Sequence, residues 1–123
     1  QWVALAAKAL KAFTNQAKSA PTGFAHMLTG FMFDLKDPKE LVIVADGKTA
    51  GTQELIQQIR ENYSPNKVVL FKDISDPDPL VEIASWTKAH SMMDGKPTFY
   101  VCENFACKRP TTNIKTVLNY LNE

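Results

Sequence analysis

Three short apolar runs, separated by segments with helical spacing, constrain the fold of this chain most. They cover residues 41–45, 67–71 and 98–102 and are rich in β-branched and aromatic side chains. Such runs are typical of strands that are covered on both faces. Helices are predicted between them, at 52–63 and from Asp78 onward. Because strand–helix–strand connections are crossovers, the pattern predicts a three-layer α/β sandwich with a short, mainly parallel, three-stranded sheet of order 2-1-3.

The first 36 residues have a different pattern, which predicts two helices that precede the sheet. Apolar residues cover most of the circumference of the first helix: Trp2, Leu5, Ala6, Ala9, Leu10, Phe13 and Ala17. This arc is wider than one helix needs to dock on a small domain, so we expect neighbours on two sides. A boundary is predicted at Asp37-Pro38, which divides the chain into a helical pair (1–36) and a small α/β domain (37–123).

Composition and charge exclude several classes of partner. The 123 residues carry a net charge of +1, with 45% hydrophobic and 22% charged residues, which predicts neither a nucleic-acid nor a membrane partner. Apolar stretches are broken well before the ~18 residues of a membrane span. The chain opens inside a helical pattern at Gln1, which favours a piece of a longer protein. Two cysteines do not make a disulfide scaffold, so we expect a reducing, cytoplasmic compartment.

Both cysteines lie in a Cys-x₄-Cys loop at the end of the third predicted strand. Cys102 and Cys107 could close a disulfide if the loop brings their Cα atoms within about 7 Å, act as a redox pair, or supply half of a zinc site. Neither His26 nor His90 has paired spacing with them, so no metal is predicted. Because Cys102 continues an inward-facing strand pattern, we expect it to be buried and unpaired, with Cys107 nearer solvent. Both are the candidate redox residues.

Activation of either thiol would need a nearby cation, and Lys108 and Lys48 are the candidates. We expect an ordinary thiol. His90 follows a predicted helix and is interpreted as a partner of that helix's dipole rather than as a catalyst. The sequence lacks a Gly-x-Ser-x-Gly elbow, so the catalytic residues stay unknown and no cofactor is predicted.

A second candidate site lies in the turn after the first strand. Asp46, Gly47 and Thr49 form a polar turn at a predicted helix start, which can hold an anion weakly, although helix capping by Thr49 or Thr52 is the preferred explanation. The glycine spacing fits neither a P-loop nor a dinucleotide fingerprint. If strands 1 and 3 are parallel neighbours, this turn and the loop after strand 3 meet at one sheet edge. We therefore predict a ligand crevice with Asn104 and Cys107 as further lining residues.

The strands at 41–45 and 67–71, together with the block Asp94-Gly95-Lys96-Pro97-Thr98 that continues into Tyr100–Cys107, carry a family resemblance. The chain resembles the C-terminal end of the large thioredoxin-domain-containing proteins related to spermatogenesis-associated protein. The resemblance implies a parent with a thioredoxin-like domain, an α/α toroid similar to N-acylglucosamine 2-epimerases and a small α/β tail. It implies that residues 1–36 close the toroid, and it assigns no catalytic residues.

Two functions of different classes follow. The first is an accessory C-terminal module with a structural or docking role, whose partners are the remaining domains of its parent, itself a sugar-active or redox enzyme. The alternative is a small redox or ligand-binding module that uses the Cys-x₄-Cys loop and the 46–49 turn.

Overall fold

The computed structural model describes residues 2–35, 38–104 and 106–123. The chain divides into two compact units, residues 1–37 and 38–123. The first unit contains helices α1 (Trp2–Ala12), α2 (Thr14–Ser19) and α3 (Ala25–Leu35), with a 3₁₀ turn at Pro21–Phe24.

The helices of the first unit bury little apolar surface. Ala17 alone is buried among the residues described there. The rings of Phe13 and Phe24 lie 6.3 Å apart, whereas Trp2 and Val3 are each 83% exposed. The chain breaks into three α-helices where two were predicted, with α1 ending at Ala12 and α2 beginning at Thr14.

The second unit is a mixed α/β fold with strands and helices in the following order. They are β1 (Lys39–Ala45), α4 (Ala50–Glu61), β2 (Lys67–Asp73), α5 (Asp78–Ile83), a 3₁₀ helix (Ser85–Ala89), β3 (Thr98–Glu103), β4 (Ala106–Cys107) and α6 (Ile114–Asn122). The four strands form one sheet of order β2-β1-β3-β4. The three predicted strands therefore lie where the apolar runs stand, and in the predicted order.

The predicted direction of the third strand was wrong. β1 and β2 are parallel, with Lys39 opposite Lys67, but β3 is antiparallel to β1, with Val44 opposite Thr98. The sheet is mixed and has a fourth strand, so it is not the three-stranded, mainly parallel sheet that the sequence predicted. The reason lies in the connection. The six residues of α5 rise only about 9 Å, which is too short to carry the chain back along the roughly 20 Å length of β1. The chain therefore enters β3 at the sheet edge at which β2 ends.

The two central strands are buried on both faces, as their continuous apolar runs predict. One face packs against α4 and α6 through Leu41, Ile43, Ala45, Phe99, Val101, Ile59, Val117 and Leu121. The other face presents Val42, Val44, Tyr100 and Cys102, and Leu70 and Met92 pack against it. The 3₁₀ helix and the segment that follows it cover this second face, where a long crossover helix was expected.

Candidate functional site

Cys102 and Cys107 form a disulfide at the end of the second sheet face. They are directly opposite each other in the β3–β4 ladder, with Cα atoms 3.9 Å apart. Asn104 has a φ of 50°, a left-handed conformation that asparagine tolerates in tight turns. The hairpin brings together two cysteines that the sequence separates by five positions. The prediction that Cys102 is unpaired was therefore wrong.

The two sulfurs differ in their access to solvent. Cys102 is 2% exposed and belongs to the apolar cluster of the second face, whereas Cys107 lies on the short outer strand and is exposed. Because an incoming thiolate needs access to the sulfur that it attacks, Cys107 is the more accessible end of the disulfide.

His90 lies against the disulfide, although it stands twelve positions before Cys102 in the sequence. A ring nitrogen of His90 and both Sγ atoms lie within 4.8 Å of one another. The ring packs 4.1 Å from Tyr100 and 5.5 Å from Trp86, measured between ring centroids. Nδ1 of His90 is buried, and no residue of the described chain donates to it or accepts from it. A buried polar atom left in this state is costly, which makes it a place to look for a ligand.

Lys72 holds the segment that carries His90. This side chain is 7% exposed, and its Nζ donates hydrogen bonds to the carbonyl oxygens of Thr87 (2.8 Å), Lys88 (3.1 Å) and His90 (2.7 Å). These carbonyls lie at the C-terminal end of the 3₁₀ helix, where a cation is favourable. Lys72 therefore fills the role that the sequence assigned to His90, that of partner to a helix end.

Two further side chains fasten the same segment to β3. The Tyr100 hydroxyl donates to the Ser91 carbonyl (2.8 Å) and accepts from the Ser91 N–H (3.2 Å). The Thr98 hydroxyl accepts from the Met93 N–H (2.7 Å) and donates to the Lys96 carbonyl (2.9 Å). His90 is thus positioned from both sides.

The electrostatic surroundings of His90 favour its neutral form. Burial of the ring and, to a smaller extent, the positive charge of Lys72 lower the pKa of His90 below its ordinary value of 6.5. A neutral imidazole does not stabilise an adjacent thiolate as an imidazolium would. It does offer a nitrogen lone pair to a proton or a metal ion.

A cavity of about 330 Å³ opens beside the disulfide and is lined by Glu40, Trp86, Cys102 and Cys107. Glu40 is opposite Cys102 in the β1–β3 ladder, so both side chains lie on the same sheet face. The site therefore combines a disulfide and a carboxylate at the edge of one cavity with an imidazole that lies beside the disulfide.

The lysines proposed from sequence as thiol activators lie elsewhere. Lys108 forms an ion pair with Glu123 and places its Nζ 4.4 Å from the centre of the Tyr120 ring. Lys48 is in the turn after β1, at the far end of that strand from Cys102.

The second predicted site is not assembled in this fold. Because β1 and β3 are antiparallel, Asp46 and Thr49 follow one end of β1, while Asn104 and Cys107 lie at its other end. The crevice that parallel strands would have formed is therefore absent from the described residues.

The turn after β1 is occupied by its own chain. Asp46 Oδ1 accepts a hydrogen bond from the Lys48 N–H at 2.9 Å. Thr49 is the N-cap residue of α4, yet its side chain makes no capping hydrogen bond. The Asp73 carboxylate lies so close to Gly47 that a Cβ there would meet Oδ2 at 2.6 Å. A carboxylate in that position opposes the binding of an anion to this turn.

Sequence reasoning missed His90 as a member of the cysteine site. Its spacing from the cysteines matches no metal or catalytic motif, and its neighbour relation depends on the direction of β3. One signal was present. Trp86, His90 and Tyr100 carry rings, and the segment between Trp86 and Tyr100 has few aliphatic side chains. This composition is consistent with a cluster of rings on one sheet face.

Comparison with known proteins relates the chain to a set of much longer sequences. No family model matches it. The chain is homologous to spermatogenesis-associated protein 20 of Homo sapiens, with 28% identity over 104 residues, and of Mus musculus and Rattus norvegicus, with 26% identity each. The match covers 85% of this chain and 13% of each relative, so the chain spans about an eighth of their length. Among the residues that the structure describes, no helix is long and apolar enough to cross a membrane.

Proposed function

We propose that this chain is an accessory module of a longer protein, with a docking role toward the other domains of that protein. The length of its relatives supports this proposal, since the matched segment is 13% of each. By the family resemblance, the partners are an epimerase-like α/α toroid and a thioredoxin-like domain. Any sugar-directed or redox activity belongs in this proposal to the whole protein.

The exposed apolar surface of the first unit is the observation that carries this proposal. Large apolar side chains are at least one-third exposed along α1 and α3 and at Phe13 between α1 and α2: Trp2, Val3, Leu5, Phe13, Leu28, Met32 and Leu35. A set of this size on so few residues exceeds the scattered apolar residues of an ordinary surface. The proposed occupant of this surface is the helical body of the parent protein.

Amide hydrogen exchange tests the docking role. In the isolated 123-residue chain we expect faster exchange over residues 2–20 than over 40–123, because few apolar contacts protect α1 and α2. In the longer parent protein the same amides should exchange more slowly. Uniformly slow exchange across α1 in the isolated, monomeric chain would contradict the proposal.

A second candidate function is thiol–disulfide exchange at Cys102–Cys107. The specific observation in its favour is that the disulfide has one accessible sulfur and lies beside a cavity. In the proposed step, a thiolate of an external dithiol attacks Sγ of Cys107 and Cys102 leaves as a thiolate, which takes up a proton. The second thiol of the dithiol then attacks the mixed disulfide and releases Cys107. Two electrons pass to the protein, and the dithiol becomes a disulfide.

The two single-cysteine variants test the order of attack. In Cys102→Ser the remaining Cys107 thiol should react readily with an aromatic disulfide reagent, because it is exposed. In Cys107→Ser the remaining Cys102 thiol should react at least ~10-fold more slowly, because it is buried. Far-UV circular dichroism checks that both variants are folded. Equal rates in two folded variants would exclude the proposed order of attack.

A further inference from the structure

We infer that reduction of the Cys102–Cys107 disulfide creates a binding site for one Zn²⁺ ion, with His90, Cys102 and Cys107 as protein ligands. The inference rests on the second candidate function, since it requires a disulfide that a dithiol can reduce while the chain stays folded. It adds a ligand class and a residue, His90, that thiol–disulfide exchange does not use.

The spacing of the three donor atoms fits a tetrahedral zinc centre. They already lie within 4.8 Å of one another. Around zinc, with Zn–S bonds of about 2.3 Å and Zn–N bonds of about 2.0 Å, neighbouring ligand atoms lie roughly 3.5–3.8 Å apart. When the S–S bond is broken, the two sulfurs move apart to about this separation. Opposite positions of an antiparallel ladder bring side chains within such reach.

The state of His90 points independently to a ligand. Nδ1 is buried and lacks a partner among the described residues, although the remainder of its segment is densely hydrogen-bonded. A ring nitrogen of His90 lies beside both sulfurs, and an imidazole nitrogen is a common zinc ligand. Two thiolates and one imidazole form a soft donor set that selects Zn²⁺ over Mg²⁺ or Ca²⁺.

The surroundings position the ligands and leave one coordination place open. Lys72 and Tyr100 fix the backbone on either side of His90, in the manner of outer-shell groups at known metal sites. Both cysteines and Glu40 line the cavity, so we assign the fourth coordination position to the Glu40 carboxylate or to a water molecule there. Three protein ligands with an open place are typical of exchangeable or catalytic zinc rather than of closed structural zinc.

The redox and proton balance is simple. The disulfide takes two electrons and two protons from a dithiol and becomes two thiols. Zn²⁺ then displaces two protons from those thiols as the Zn–S bonds form. Oxidation of the thiols by a disulfide reverses the sequence and releases the ion. Because zinc binds only the reduced form, it should shift the disulfide equilibrium toward that form.

The test is a Co²⁺ and Zn²⁺ titration of the intact 123-residue chain, oxidised and dithiol-reduced, without oxygen. We expect the reduced chain to bind one equivalent of Co²⁺ with thiolate-to-metal charge-transfer absorption, and Zn²⁺ to displace it. The oxidised chain should show no such absorption. His90→Phe keeps a ring between Trp86 and Tyr100 and should weaken binding by more than the roughly 10- to 100-fold that loss of an outer-shell partner costs.

His26→Phe is the matched control, because His26 is the other histidine of the chain and lies exposed on α3. It should bind the metal as the parent chain does. A reduced, folded chain that shows no thiolate-to-Co²⁺ absorption overturns the zinc site alone. Equal affinity of the His90→Phe and His26→Phe variants also overturns it. A disulfide that a dithiol reduces only when the chain unfolds overturns both the zinc site and the second candidate function.

Discussion

Lys72 is a buried cation whose partners are three carbonyl oxygens of the 3₁₀ segment. At the scale of a single residue, this arrangement decides where His90 lies. Lys72 lies just after the predicted second strand (67–71). The sequence did not predict its burial, because the alternation of side chains along a strand does not tell which segment covers which face. Once the segment crosses this face, the ammonium group donates to the Lys88 and His90 carbonyls at the helix end and to the Thr87 carbonyl, which also accepts from the His90 N–H.

Replacement of Lys72 by methionine should destabilise the chain. The variant keeps the apolar stem but removes the ammonium donor from the Lys88 and His90 carbonyl oxygens, whereas the Thr87 carbonyl keeps the His90 N–H. We expect this loss to lower the free energy of unfolding by about 2 kcal/mol. Urea unfolding measures the change. Lys88→Met, which removes an exposed ammonium group from the same segment, is the control and should stay within about 0.5 kcal/mol. Equal effects of the two substitutions would contradict the proposed role of Lys72.

Asp73 links stability to acid pH. Hydrogen bonds from the Ser75 backbone, then from the Ser75 hydroxyl, lower the pKa of the Asp73 carboxyl below its ordinary value of 3.8. The unfolded chain therefore binds this proton more readily, so the contribution to stability is present above the unfolded pKa. It is lost as the pH falls through the lower, folded value.

The variant Asp73→Asn should lose less stability than the parent chain as the pH falls. Urea unfolding at a series of pH values from neutral to about pH 2 is expected to show less loss of stability below pH 3.8 than in the parent chain. Asp76→Asn, at an exposed aspartate of the same loop, controls for the change in net charge. If Asp73→Asn loses as much stability at acid pH as the parent chain, Asp73 is not the source of this pH dependence.

At the scale of elements, the turn between β1 and α4 packs against the end of β2. Gly47 leaves the space that the Asp73 side chain and the Phe71 ring occupy. Gly47→Ala should therefore lower the free energy of unfolding, because the added methyl displaces the Asp73 carboxylate from its place beside Gly47.

Gly51→Ala provides the comparison within the same element. Gly51 lies in the first turn of α4 and has open space around it, so alanine should be neutral or stabilise the helix by about 0.5 kcal/mol. If thermal or urea unfolding ranks the two variants in the opposite order, the close approach of Asp73 to Gly47 does not hold in solution.

The elements themselves could be predicted from the sequence, but the direction of one strand could not. Apolar runs and helical spacing locate β1, β2, β3 and the helices because these signals are local. Strand direction depends on where a connection ends. The segment after β2 has a short helix, a 3₁₀ helix and an anchoring lysine, and only their combined geometry returns the chain to the same edge. The disulfide and the position of His90 follow from that direction, so local sequence patterns could not predict them.

At the scale of the whole molecule, the chain combines a helical unit with exposed apolar side chains and an α/β unit with a well-buried sheet. The relatives are much longer, and the proposed role of the helical unit is to dock on the rest of such a protein. The chemically distinctive part of the α/β unit is the cluster of Cys102, Cys107 and His90, whose disulfide lies beside a cavity.

The state of the two cysteines tests the account most directly, because the site, the exchange reaction and the zinc inference all depend on it. The measurement is intact-protein mass spectrometry with thiol alkylation of the folded chain, purified without reductant and then treated with a dithiol. We predict no alkylated cysteine before the dithiol and two after it, with an unchanged far-UV circular dichroism spectrum. Two alkylated cysteines in the folded chain before any dithiol is added would contradict the account.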